Sequence, residues 1–100
     1  MTPQEIDRKL ATDVMMYQPR VMPRGTLVWA TPSSGWMPQA DWSPSSNIAQ
    51  AFECAEKLGK PIVVQKLTDI WECNIIGFHR GNTPALAISR AILAAIEKGK

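Results

Sequence analysis

The chain holds one histidine, His79, and two cysteines, Cys54 and Cys73, among its 100 residues. Nucleophilic hydrolysis needs a Ser, Cys or Thr beside a base with an orienting group behind it, and no GxSxG elbow is present. A serine or cysteine hydrolase is therefore not expected, and the chain reads as non-enzymatic. An enzymatic reading would require Glu72, Asp41 or His79 to converge in a cleft, which spacing alone does not show. With no CxxC and no nearby Cys/His pairing, the cysteines match no zinc or redox pattern. They are expected as reduced, buried thiols, and no metal or cofactor is implied.

Binding chemistry is better represented. Of four tryptophans, Trp36 and Trp42 lie in a Pro/Ser/Gly-rich segment, where an aromatic face can stack on a base or anchor a protein partner, or can simply cover the core. Trp29 and Trp71 are assigned to the core. Arg20 and Arg24 flank Pro23 and, with Trp36 or Trp42, can make a cationic aromatic site for a nucleotide or an acidic partner; the plain alternative is a solvated loop. Arg80, Gly81 and Asn82 precede a Thr83-Pro84 helix start, where free backbone donors and the helix dipole favour an anion. His79 beside them is either a loop histidine without a task or a ligand contact. Neither GxxxxGK[ST] nor GxGxxG occurs, so there is no Walker or Rossmann phosphate cradle.

The elements that must carry these residues follow from caps, breakers and periodicity. Thr2-Pro3-Gln4-Glu5 is a capping-box helix start, and Ile6, Leu10 and Val14 mark one apolar face of a helix running to about Tyr17. Residues 18 to 47 hold seven Pro and Gly breakers, roughly one in four, leaving room for one short strand near Thr26–Ala30. Thr31-Pro32-Ser33-Ser34-Gly35 reads as a turn, and Trp36 to Trp42 as a second short strand or an ordered excursion. Ser43 to Asn47 offer N-caps for a second helix with Ile48, Ala51, Phe52, Ala55 and Leu58 on one face and Gly59 as its stop. Pro61–Leu67 and Ile70–Phe78 form a hairpin about Thr68-Asp69, half buried, with Trp71, Cys73 and Ile75 inward. Thr83-Pro84 opens a third helix with Ala85, Ile88, Ile92, Ala95 and Ile96 on one face.

This order makes a single α+β domain over residues 1–100: a small antiparallel sheet of three or four strands with three helices packed on it. The apolar fraction of 45% and charged fraction of 20% are those of a globular protein. No apolar run is long enough to span a bilayer. A net charge of +2 is too small for a non-specific nucleic-acid binder, so nucleic acid is not an expected partner. The start of the chain lacks a secretory pattern, and the cytoplasm is the expected compartment.

The opening Glu5-Ile6-Asp7 helix reaching Val14-Met15, the Trp42-Ser43-Pro44-Ser45-Ser46-Asn47-Ile48-Ala49 entry to an Ala-rich helix ending Glu56-Lys57-Leu58, and Thr83-Pro84-Ala85-Leu86-Ala87-Ile88 together span nearly the whole chain. In this order the chain resembles the phage ABA sandwich domain, a family of small phage and prophage proteins. The resemblance implies an α-β-α sandwich, with helices on both sides of the sheet, and a phage-related origin. It carries no catalytic residue onto this chain. Asn47 stands where the family often has an acid after the capping Ser, and Asn47 cannot ionise.

Two functions from different classes are expected. The first is a phage accessory protein that holds a small anionic ligand, such as a nucleotide, through Trp36, Trp42, Arg20, Arg24, His79, Arg80, Asn82 and Thr83. The second is an interaction or assembly module in which Trp36, Met37 and Trp42 form a patch for a host protein or a second copy of the chain.

Overall fold

The computed structural model describes residues 2–33 and 35–98. Ser34 of the expected turn lies outside the described residues. Thr2 caps the first helix, α1 (Pro3–Lys9): its Oγ1 accepts the Glu5 N–H at 3.2 Å, and its hydroxyl donates to Glu5 Oε1 at 3.2 Å. The helix then widens into a π-helical turn, Leu10–Val14, with Met15 N bonded to Leu10 O. It ends earlier than the expected Tyr17, because Met16 takes a left-handed φ of +59° and Tyr17 N closes back on Ala11 O at 2.8 Å.

Three strands follow where one was expected, with a second left open at Trp36 to Trp42: β1 (Gln18–Val21), β2 (Leu27–Ala30) and β3 (Trp36–Pro38), an antiparallel sheet in that order. Pro19 and Pro38 are tolerated because each lies on an edge strand, where a missing N–H can face away from the ladder. A single 3₁₀ turn, Gln39–Asp41, then leads toward the second helix, α2 (Ile48–Leu58), capped by Asn47 and stopped by Gly59 at φ +74°. The segment Trp36 to Trp42 is thus both strand and excursion.

Strands β4 (Val63–Lys66), β5 (Trp71–Asn74) and β6 (Phe78–Gly81) form a second antiparallel sheet, in that order. Thr68-Asp69 makes the expected tight connection, closed by Leu67 N to Ile70 O at 2.7 Å. The expected long strand Ile70–Phe78 is broken by bends over 75–77, which send Phe78–Gly81 back as a strand of its own. The last helix is α3 (Pro84–Lys98); Gly99 and Lys100 lie outside the described residues.

The α+β class holds, but the strands divide into two three-stranded sheets because each set pairs only with its sequence neighbours. Among the helices, α3 packs on the second sheet, along β5 and β6, and it also meets α2 and α1. Surrounded in this way, α3 buries Ala85, Ala87, Ile88, Ser89, Ala91, Ile92, Leu93 and Ala95, far more than one stripe. Helix α2 turns small residues, Ala51, Cys54 and Ala55, toward the core and leaves Ile48 and Phe52 exposed, a rotation from the expected face. Alanine-lined surfaces allow the helices to approach closely.

Candidate functional site

The first sheet gathers part of the expected site. Pro23 and Arg24 occupy the turn between β1 and β2, which closes through Gly25 N to Met22 O at 2.8 Å and Met22 N to Thr26 O at 2.9 Å. Gly25 takes φ +86°, the left-handed conformation that ends a three-residue hairpin loop. The register sets Gln18 opposite Ala30 and Ala30 opposite Trp36, and Arg20 opposite Val28 and Val28 opposite Pro38. Directly opposed residues and those two apart share a face, so Arg20 and Trp36 emerge on the same side of the sheet. Pro19, Trp29 and Met37 take the other side, where Trp29 and Met37 join the main core.

Two adjoining hollows result, both lined by Met22 and Trp36. One, of about 400 Å³, adds Arg20, Val28 and Ala30; the other, of about 310 Å³, adds Pro23, Arg24 and Thr26. Trp36 is 58% exposed, so much of its ring is open to a ligand. On the opposite side of the hairpin Val21 and Leu27 are also mostly exposed. Met22, which both hollows share, went unnoticed in the sequence; its place just before the Pro23-Arg24-Gly25 turn was the available signal.

The remaining expected residues do not join this group. Trp42 is 4% exposed, its indole N–H donates to the Asp7 carbonyl at 2.8 Å, and its ring meets Tyr17 edge-on at 5.2 Å between centroids. It covers the core rather than presenting a free face. His79 is a residue of β6, not of a loop, and lies with Ile6, Arg90, Leu93 and Glu97 beside α1 and α3. Arg80 alternates to the outer face of the second sheet. There its Nε donates to Glu72 Oε2 at 3.1 Å, while Gln65 Nε2 donates to Glu72 Oε1 at 2.8 Å. These two bonds hold the Glu72 carboxyl below its ordinary range. Thr83 spends its Oγ1 on the Leu86 N–H at 3.2 Å, as an N-cap, and Asn82 is exposed. The expected site residues are therefore not brought together in one place.

The cysteines are as expected, free and buried, with burial pushing the Cys54 thiol up to about 12 and that of Cys73 to about 11. Trp71 packs against the core while Lys66 Nζ lies 5.9 Å from its ring centroid. Among the described residues no group of three His, Cys, Asp or Glu is arranged to hold a metal ion, and no helix is long and apolar enough to cross a membrane.

With this geometry in view, one likeness stands out. The chain is similar in fold to a phage protein. That protein, from Bacillus cereus ATCC 14579 and solved by crystallography, superposes with a TM-score of 0.66 at 21% identity, over 95% of this chain and 92% of its own. No family model matches the chain, and no curated protein matches it.

Proposed function

We propose that this chain is a non-enzymatic binding protein of phage origin that holds an anionic ligand, with a nucleotide as the small-molecule case, on the open face of its first sheet. The observation that carries the reading is the convergence of Arg20, Arg24 and Met22 around the exposed Trp36. An indole face accepts a planar ring by stacking, and guanidinium groups pair with phosphate or carboxylate. The phage assignment draws support from the fold shared with the Bacillus cereus phage protein. Work in the cytoplasm of an infected host suits such a role.

A second reading has its own support. The hollow at the turn is walled mainly by Met22, Pro23 and Trp36, and Val21 and Leu27 stand exposed across the same hairpin. Apolar groups exposed on both sides of one projecting hairpin fit capture of an acidic protein partner or self-association.

Calorimetric titration with a nucleoside monophosphate and, separately, inorganic phosphate tests the first reading. Saturable nucleotide binding that is lost in Trp36→Ala and in the Arg20→Glu/Arg24→Glu variant supports it. No heat with either probe, together with concentration-dependent association in sedimentation that disappears in Trp36→Ser, replaces it with the second. A monomer that binds neither probe rejects the nucleotide and the self-association readings together.

A further inference from the structure

A separate hollow, of about 320 Å³, opens between α1 and the 3₁₀ turn Gln39–Asp41, and it shares no lining residue with the two hollows at Trp36. Gln4, Asp7 and Arg8 line it from α1, where spacings of three and four residues bring side chains to one side of a helix. Gln39 faces them, and Trp29 and Trp42, both almost wholly covered, form an apolar wall rather than a stacking face. The volume equals that of roughly ten water molecules at about 30 Å³ each, ample for a free amino acid.

The chemistry of this hollow is set by two neighbouring charges that form no ion pair with each other among the described residues. Asp7 Oδ1 accepts the Ser45 N–H at 2.8 Å, which fixes the carboxylate in place. The Arg8 guanidinium enters no ion pair among the described residues. Gln39 Nε2 donates to the Val28 carbonyl at 3.2 Å, which holds that amide with its oxygen left as an acceptor. A fixed, partly buried carboxylate beside a free guanidinium is complementary to a molecule carrying an ammonium and a carboxylate a few bonds apart.

We propose that this hollow binds a small zwitterion of the α-amino acid class. The ammonium is taken by the Asp7 carboxylate, the ligand's carboxylate by Arg8, and the ligand's apolar side chain lies on the Trp29 and Trp42 wall. Gln4 and Gln39 supply the remaining hydrogen bonds.

The indole N–H signals of Trp29 and Trp42 in ¹⁵N-labelled protein report on this wall directly. Titration with leucine is expected to shift them saturably. 3-Methylbutylamine, which lacks the carboxylate, and 4-methylpentanoate, which lacks the ammonium, are each expected to bind about tenfold more weakly or worse. Arg8→Gln changes an exposed side chain and Asp7→Asn keeps an acceptor for Ser45, so both variants should fold, and both should lose the leucine shift. Indole signals that stay fixed with leucine, phenylalanine and glutamate overturn the proposal. So do shifts that persist undiminished in both variants, or that the amine or the acid alone reproduces.

Discussion

Trp42 and Asp7 are joined by a hydrogen bond of 2.8 Å that spans 35 positions of sequence, from the indole Nε1 to the main-chain carbonyl. The same aspartate accepts the Ser45 N–H through its side chain at 2.8 Å. One residue of α1 therefore fastens both ends of the segment that leads into α2. The carbonyl involved lies just before the helix passes from α to π pitch, a place where backbone acceptors often find partners outside the helix.

Trp42→Phe, which removes the indole donor while keeping much of the apolar bulk, is expected to cost about 1 kcal/mol, and Trp42→Ala about 3–5 kcal/mol. Trp36→Ala is expected to stay within about 0.5 kcal/mol, as exposed positions generally do. Urea denaturation of the three variants checks the contrast; equal losses at the two positions would contradict the division into core and surface tryptophan.

Gly81 lets the second sheet come close to the first turn of α3. A Cβ built there would stand 2.7 Å from the Ala87 main-chain nitrogen and 2.9 Å from Leu86 Cβ, whereas one at Gly77 would meet nothing within 4 Å. Gly81→Ala must push the helix from the strand and is expected to lower stability by about 1–3 kcal/mol. Gly77→Ala, in the bend between β5 and β6, should leave the melting temperature nearly unchanged, and thermal unfolding followed by circular dichroism compares them.

Two carboxylates give opposite pH dependence. Burial raises the Asp7 carboxyl above its ordinary range, against the lowering effect of the Ser45 hydrogen bonds. Its ionised form is thus disfavoured by folding: the cost is present above the folded-state pKa and is relieved as pH falls through it. Glu72 is lowered by its bonds from Gln65 and Arg80. It stabilises above its unfolded-state pKa, and that gain is lost as pH falls through the lower, folded value. Asp7→Asn should therefore be at least as stable as the parent at neutral pH, and Glu72→Gln less stable. Both differences should shrink in acid, as denaturation midpoints measured across the carboxylate range would show.

Helix ends were the most legible part of the sequence. Thr2, Asn47 and Thr83 each cap a helix, and Gly59 ends one in the left-handed conformation. These signals are local, since a cap needs only the three residues that follow it. The strand Gln18–Val21 was hidden, and Trp36–Pro38 left open, because Pro19 and Pro38 read as breakers until their strands are known to be sheet edges, which is a property of the assembled sheet.

The site was legible in part for the same reason. Arg20, Arg24 and Trp36, read together in the sequence, line two adjoining hollows because one short hairpin and its return strand connect them. Trp42 and Arg80 were misplaced because their partners, Asp7 and Glu72, are set by the packing of α1 and by strand register. The burial of Trp42 against Tyr17 depends on contacts 25 residues apart, which no local pattern encodes.

The first sheet meets the main core through Trp29 and Met37, while Arg20, Arg24 and Trp36 lie outside that core. On the proposed reading, stability and recognition fall to different side chains of the same strands. A lineage can exchange the outward residues one at a time and acquire a new target, while the inward pair keeps the sheet moored and the helices undisturbed.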